Sequence, residues 1–237
     1  MNGLRSNAMK AALLLALGGA LATAAATLWF ADAGAGFLER RDGRVAEMTL
    51  GEAERLDDAG FIIEAVSAYD RALAGTFAGP DKRANTQRRY GQLLHRMGNY
   101  KAAATMLLAA EAGPRPDRGG LGELTDTLLR LERWEEAEAA LARWRAEQGD
   151  PNDTLTRAGK LCAGGRLAEG TGDPDRALAL YQEAERLNWK SEAGFFFGRA
   201  LRAKGQLPEA AQKLERYLLD SPATANVNEA RMLLGNL

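Results

Sequence analysis

The sequence predicts an all-α fold: an α-solenoid of about five helical hairpins with a C-terminal capping helix, preceded by an N-terminal hydrophobic helix. Three observations carry that prediction. The first is a motif that returns five times, a turn residue followed by an alanine and then by a large apolar residue four positions on. It reads Gly60, Ala65, Tyr69; Gly98, Ala103, Leu107; Glu132, Ala137, Leu141; Gly172, Ala177, Tyr181; and Gly205, Ala210, Leu214. The alanines are separated by 38, 34, 40 and 33 residues, the length of a two-helix repeat with insertions between some copies. The second is the placement of helix breakers between the proposed helices, at Gly79-Pro80, Gly113-Pro114-Arg115-Pro116, Gly149-Asp150-Pro151 and Ser221-Pro222. The third is a composition rich in Ala, Leu, Glu and Arg and poor in β-branched residues.

Taken in order, residues 1–10 form a basic segment with Arg5 and Lys10. Residues 11–31 carry no charge, their only polar side chains are Thr23 and Thr27, and Trp29 and Phe30 stand at the far end. A helix of that length just spans a bilayer, and the aromatic pair suits a membrane interface. The competing reading is a cleaved secretory signal with a core over Ala11 to Leu21. Its small-residue sites would be Ala22-Thr23-Ala24 or Ala31-Asp32-Ala33. Arg40, Arg41 and Arg44 nearly balance the basic residues on the other side, so the charge rule for orientation is not decisive. A short basic start ahead of a leucine-rich core favours export, with the repeats on the outer side of a bacterial inner membrane. Residues 32–45 read as a linker, 46–222 as the solenoid and 223–237 as the cap, with Val227 to Leu234 covering the apolar end of the stack.

Within each copy a small residue recurs where two helices must approach closely: Ala53, Gly91, Thr125, Gly165 and Gly198 on the first helix, Ala72, Ala110 and Ala184 on the second. Trp144 and Tyr217 break the last rule, which predicts wider packing or different capping after the third and fifth hairpins. The fourth copy holds Gly159, Gly164, Gly165 and Gly170 in its first helix, each costing up to about 1 kcal/mol relative to alanine. The solenoid is expected to bend or loosen there. Pro174 and Pro208 sit where a second helix begins, a position that tolerates a missing amide hydrogen. Glu135, Glu136, Asp173 and Asp175 place negative charge at helix starts, where the dipole favours it.

These residues give the chain a resemblance to the tetratricopeptide repeat (TPR) proteins over roughly residues 46 to 222. The second copy is the clearest, with Tyr90-Gly91, Leu94, Gly98, Tyr100, Ala103, Ala110 and Pro114. The fifth follows closely, with Phe197-Gly198, Leu201, Gly205, Ala210 and Pro222. The resemblance implies a groove lined by the first helix of each repeat. That groove would present Glu47, Glu54, Asp57 and Asp58; Asn85, Arg88, Gln92, His95 and Arg96; Asp126 and Arg130; Arg166 and Glu169; and Phe195, Arg199 and Arg202. It would be acidic at one end and basic along most of its length. Arginine forks bind carboxylates bidentately, so an acidic peptide or a free C-terminus is the expected ligand. The Lys-and-Asn pattern of chaperone-binding TPR domains is not reproduced.

The function classes narrow accordingly. A net charge of −1 argues against a nucleic-acid partner. One cysteine, Cys162, and one histidine, His95, supply neither a zinc site nor a disulfide framework, and Cys162 reads as a small buried residue. No Gly-x-Ser-x-Gly, phosphate loop or His-Glu-x-x-His is present, so no enzyme and no cofactor is expected. The remaining class is a module for binding protein partners, in three versions. A membrane-tethered scaffold or assembly factor needs an uncleaved N-terminus. A soluble exported adaptor would begin near residue 25 or 34. An accessory subunit of a membrane protein complex would use Trp144, Trp189, Phe195 and Phe196 as its contact. Gly18, Ala22 and Ala26 could pack anchor helices together.

Overall fold

The structure, a computed structural model, describes residues 43–77, 79–113, 119–189, 192–220 and 226–236. The proposed membrane or signal segment, with Trp29 and Phe30, lies outside these residues. Among those described, every regular element is a helix. The first, α1, is helical over 43–58. The others are α2 (Ile62–Ala74), α3 (Pro80–Arg96), α4 (Tyr100–Glu111), α5 (Leu121–Arg130), α6 (Trp134–Ala146), α7 (Thr154–Gly170), α8 (Pro174–Leu187), α9 (Ala193–Ala203), α10 (Leu207–Asp220) and α11 (Val227–Gly235). None of the described helices is long and apolar enough to cross a membrane.

The chain divides into two compact units, residues 1–83 and 84–237. In the first, Ala53 of α1 and Ala65, Ala68, Tyr69 and Ala72 of α2 are all buried. Lys82, in the first turn of α3, is ion-paired to Glu47 of α1. In the second, α3 to α10 form four successive hairpins and α11 packs on α9 and α10 through Val227 and Ala230. Burying those two residues lets the ninth to eleventh helices close one core with Phe195, Leu214 and Tyr217.

The recurring motif has a geometric cause at each of its three positions. The turn residue takes positive φ in every copy: Gly60 at 80°, Gly98 at 77°, Glu132 at 56°, Gly172 at 88° and Gly205 at 75°. This left-handed residue lets the chain reverse while its neighbours cap the outgoing helix. The amide of Asn99 donates to Leu94 O at 2.9 Å and that of Arg133 to Leu128 O at 3.0 Å. The alanine and the large apolar residue are fully buried in the second helix, and the large residue fills a seat in the first. A Cβ added at Gly91 would lie 2.7 Å from Leu107 Cγ, and one at Gly198 would lie 2.8 Å from Leu214 Cγ.

Glu132 is the one non-glycine residue at positive φ among the described residues. A left-handed conformation costs an ordinary L-residue about 1–2 kcal/mol, part of which glycine gives back as unfolded-chain entropy. Glu132→Gly is therefore expected to stabilise the second unit by about 1 kcal/mol. An upward shift of the urea midpoint reads it, and an unchanged or lower midpoint refutes it.

The two expected weak points are packed as follows. The helix with four glycines, α7, is continuous from Thr154 to Gly170. Its glycines face bulky neighbours: Gly159 meets Trp144, Gly164 meets Arg145, Gly165 meets Tyr181 and Gly170 meets Trp134. The Trp144 indole lies against Gly122 and Gly159, and Tyr217 is buried beside Gly194. The capping expectations match the structure. Pro174 is the first residue of α8, where the Asp173 side chain accepts from the Arg176 amide at 3.0 Å, and Glu135 and Glu136 lie in the first turn of α6.

Candidate functional site

Within the second unit, the first helices of successive hairpins are neighbours, α5 beside α7, α7 beside α9 and α9 beside α11. The side chains facing along this layer form a chain of polar contacts that crosses every hairpin boundary. Gln92 of α3 donates to Glu123 of α5 at 3.2 Å. His95 meets Thr127 Oγ1 through Nδ1 at 2.8 Å and Asp126 Oδ2 through Nε2 at 3.3 Å. Asp126 also accepts from Arg130 Nε at 2.7 Å and is ion-paired to Arg166 of α7. Further along, Glu169 of α7 accepts from Arg199 of α9 at 2.7 Å and from the Tyr181 hydroxyl at 2.9 Å. Arg199 reaches Glu229 of α11 at 4.0 Å.

The arginines are held on two sides. Arg130 lies 5.1 Å from the Tyr100 ring centre and Arg166 lies 5.1 Å from that of Phe196. Arg199 covers both Phe195 and Phe196, at 5.7 and 5.3 Å. A guanidinium between a carboxylate and a ring face keeps its charge and loses much of its freedom. The electrostatics follow. Burial disfavours the Asp126 carboxylate, but Arg166 and Arg130 together outweigh it and hold its pKa below the usual value. Burial lowers the His95 pKa against the opposing pull of Asp126. Burial, with Glu192 nearby, pushes the Cys162 thiol up to about 12, consistent with a small packed residue.

Most of the sequence-predicted groove residues sit on this layer. Gln92, His95, Asp126, Arg130, Arg166 and Arg199 are drawn into one chain of contacts. Arg202 is half-buried in the last turn of α9, Arg96 is exposed at the end of α3, and Arg88 lies against Gly119 and Gly120 ahead of α5. Phe195 differs: it is 1% exposed and packs on Phe196 and Tyr217 in the core. Three consecutive phenylalanines stand at the third to fifth positions of α9, and the first of them packs in one core with residues of α10 and α11. Phe196 is buried as well, so of the four aromatics offered as a docking contact only Trp189 is largely exposed, with Arg216 over its ring at 5.2 Å.

The carboxylates of Asp126, Glu169 and Glu229 occupy these arginines. A signal for them exists. Gln92, Asp126, Arg166 and Arg199 each stand eleven residues before their repeat alanine, so they occupy one register position on successive first helices. An acid followed one repeat later by a base at the same position predicts the Asp126–Arg166 pair.

The comparisons with solved structures bear on the fold. MamA from Desulfovibrio magneticus RS-1, residue 41 to its end, superposes with a TM-score of 0.58 at 16% identity, over 78% of this chain and 99% of that one. The fold is the tetratricopeptide-repeat fold. YrrB, described as a TPR protein with an unusual peptide-binding site, matches with a TM-score of 0.52 at 20% identity, over 78% of this chain and 90% of its own. A thermophilic TPR protein in Thermus thermophilus gives a TM-score of 0.55 at 20% identity, over 80% of this chain and 98% of its own. No family model and no curated protein matches the sequence. At such identities the likeness speaks for the TPR architecture alone.

Proposed function

We propose that this chain is a scaffold that binds protein partners along the first-helix layer of its TPR repeats. Residues 11–31 would hold it at a bacterial inner membrane, with the repeats on the periplasmic side. The observation that carries the reading is the locked chain of contacts from Gln92 to Glu229, which spans every hairpin of the second unit. It presents partly buried charged groups already fixed in position, so a partner orders few side chains on binding. YrrB's peptide-binding site is a precedent on the same fold. The acidic-ligand version is disfavoured by the pairing, because a carboxylate ligand would have to displace Asp126 or Glu169 from its arginines. Tethering would raise the local concentration of the scaffold near membrane complexes.

The test is site-specific photo-cross-linking of the full chain in native membranes. A cross-linker at Leu155 or Arg202, on the first-helix layer, is expected to capture a defined partner, whereas one at Glu138 on α6 is not. Equal capture from all three positions, or none from the layer, rejects it as the interface. Mass spectrometry of the captured chain's N-terminus decides the tether. A mature start near residue 25 or 34 would replace it with a soluble exported adaptor.

A further inference from the structure

A cleft of about 270 Å³ opens on the first-helix layer among α5, α7 and α9. Its apolar walls include Trp144, Leu155 and Phe196, Thr156 also lines it, and its charged groups are Asp126, Arg166 and Glu192. Two of those three are already committed to each other, since Arg166 is ion-paired to Asp126 and lies over the Phe196 ring. Asp126 is further engaged by Arg130. Glu192 is different. Among the described residues its side chain has one polar partner, the Asn226 Nδ2 amide, which donates to it at 3.1 Å and carries no charge. It stands at the start of α9 without capping that helix by a side-chain hydrogen bond. Burial, then the negative charge of Asp126, raises its pKa above the ordinary carboxylate value against the opposing pull of Arg130 and Arg166. The cleft thus holds one ion pair and one carboxylate that makes no close ion pair among the described residues, Arg130 and Arg166 acting on it only from a distance, beside an apolar surface.

A cation with an aliphatic stem complements each part. Its stem would cover the indole and ring surfaces, as lysine and arginine stems do on apolar ground, and its head would supply the charge-assisted partner that Glu192 lacks. An acidic group would meet Glu192 and Asp126 together and be repelled. We propose that this cleft seats an arginine or lysine side chain projecting from a bound partner segment, with its stem against Trp144, Leu155 and Phe196 and its cation at Glu192. The inference rests on the scaffold reading above and adds the chemistry the scaffold selects.

The Trp144 indole is a reporter inside the cleft. With the full chain labelled with ¹⁵N at tryptophan, its N–H resonance is identified by its loss in Trp144→Phe. Short blocked peptides identical but for a central arginine, norleucine or glutamate are then titrated. The arginine peptide is expected to shift the Trp144 signal and to bind about tenfold more tightly than the norleucine peptide. Glu192→Gln should remove that advantage and leave norleucine binding unchanged. Added salt should weaken the arginine peptide only. Equal binding of arginine and norleucine, an arginine advantage that survives in Glu192→Gln, or preference for glutamate overturns the proposal. If the cross-links from Leu155 and Arg202 form while the arginine preference is absent, the cleft proposal fails and the scaffold reading stands.

Discussion

Asp126→Ala is expected to destabilise the second unit by about 3 kcal/mol, near the lower end for breaking one side of a buried charged pair. The size follows from what is left behind. Asp126 ties three successive first helices, taking His95 from α3, Arg130 from its own helix and Arg166 from α7. Its removal leaves two guanidinium groups, both largely shielded from water, facing each other with no anion between them. In a repeat array stability is the sum of hairpin and interface terms, and this side chain belongs to two interfaces at once. The unfolding transition should therefore broaden as well as move, because neighbouring hairpins lose coupling. Two further observations separate the charge from simple loss of volume. Arg166→Met in the Asp126→Ala background should restore part of the loss, since it removes one uncompensated cation. The pH dependence should also change. The folded pKa of Asp126 is depressed below 3.8, so its contribution is complete above that value and is lost as pH falls through the lower folded pKa. The wild type should carry this acid-sensitive increment and Asp126→Ala should lack it. A variant within about 0.5 kcal/mol of wild type would mean that solvent already screens the hub.

The helices and their pairing were legible because the motif that marks them also causes them. Gly98 sets the turn, Ala103 permits the close crossing and Leu107 fills the seat at Gly91, so one line of sequence states three contacts. The site was legible only in part. Register assigned Gln92, His95, Asp126, Arg130, Arg166 and Arg199 to one layer, and they are there. What they touch depends on how far each hairpin is rotated against the next, and only the Asp126–Arg166 pair has a signal in the register. The basic groove therefore became a set of arginines already holding Asp126, Glu169 and Glu229. Phe195 fell outside the pattern for a related reason. In a run of three aromatics a rotation of one residue decides which ring faces the layer, and α10 and α11 set that rotation.

The glycines of α7 give the sharpest test of what a sequence can and cannot say about a missing side chain. Read alone, Gly164 and Gly165 are equivalent defects, and either one replaced by alanine should strengthen the helix by up to about 1 kcal/mol. The structure separates them. A Cβ at Gly164 meets the guanidinium end of Arg145, a flexible group that can swing aside. A Cβ at Gly165 enters the Tyr181 ring, lying 2.7 Å from Cδ1. That ring cannot withdraw easily. It is fully buried, stacked on Phe196 at 5.8 Å, and fixed at its far end by the hydroxyl's bond to Glu169. Overpacking a held ring costs about 1–3 kcal/mol, which exceeds the helix gain. Gly164→Ala should therefore raise the melting midpoint and Gly165→Ala should lower it, by about 2 kcal/mol at the second site. Shortening the obstructing side chain is the control. Gly165→Ala combined with Tyr181→Leu should cost less than the two changes summed, because the alanine methyl occupies space the ring has left. If both single alanine variants stabilise alike, α7 is a helix weakened by its glycines, and Tyr181 adjusts to whatever faces it.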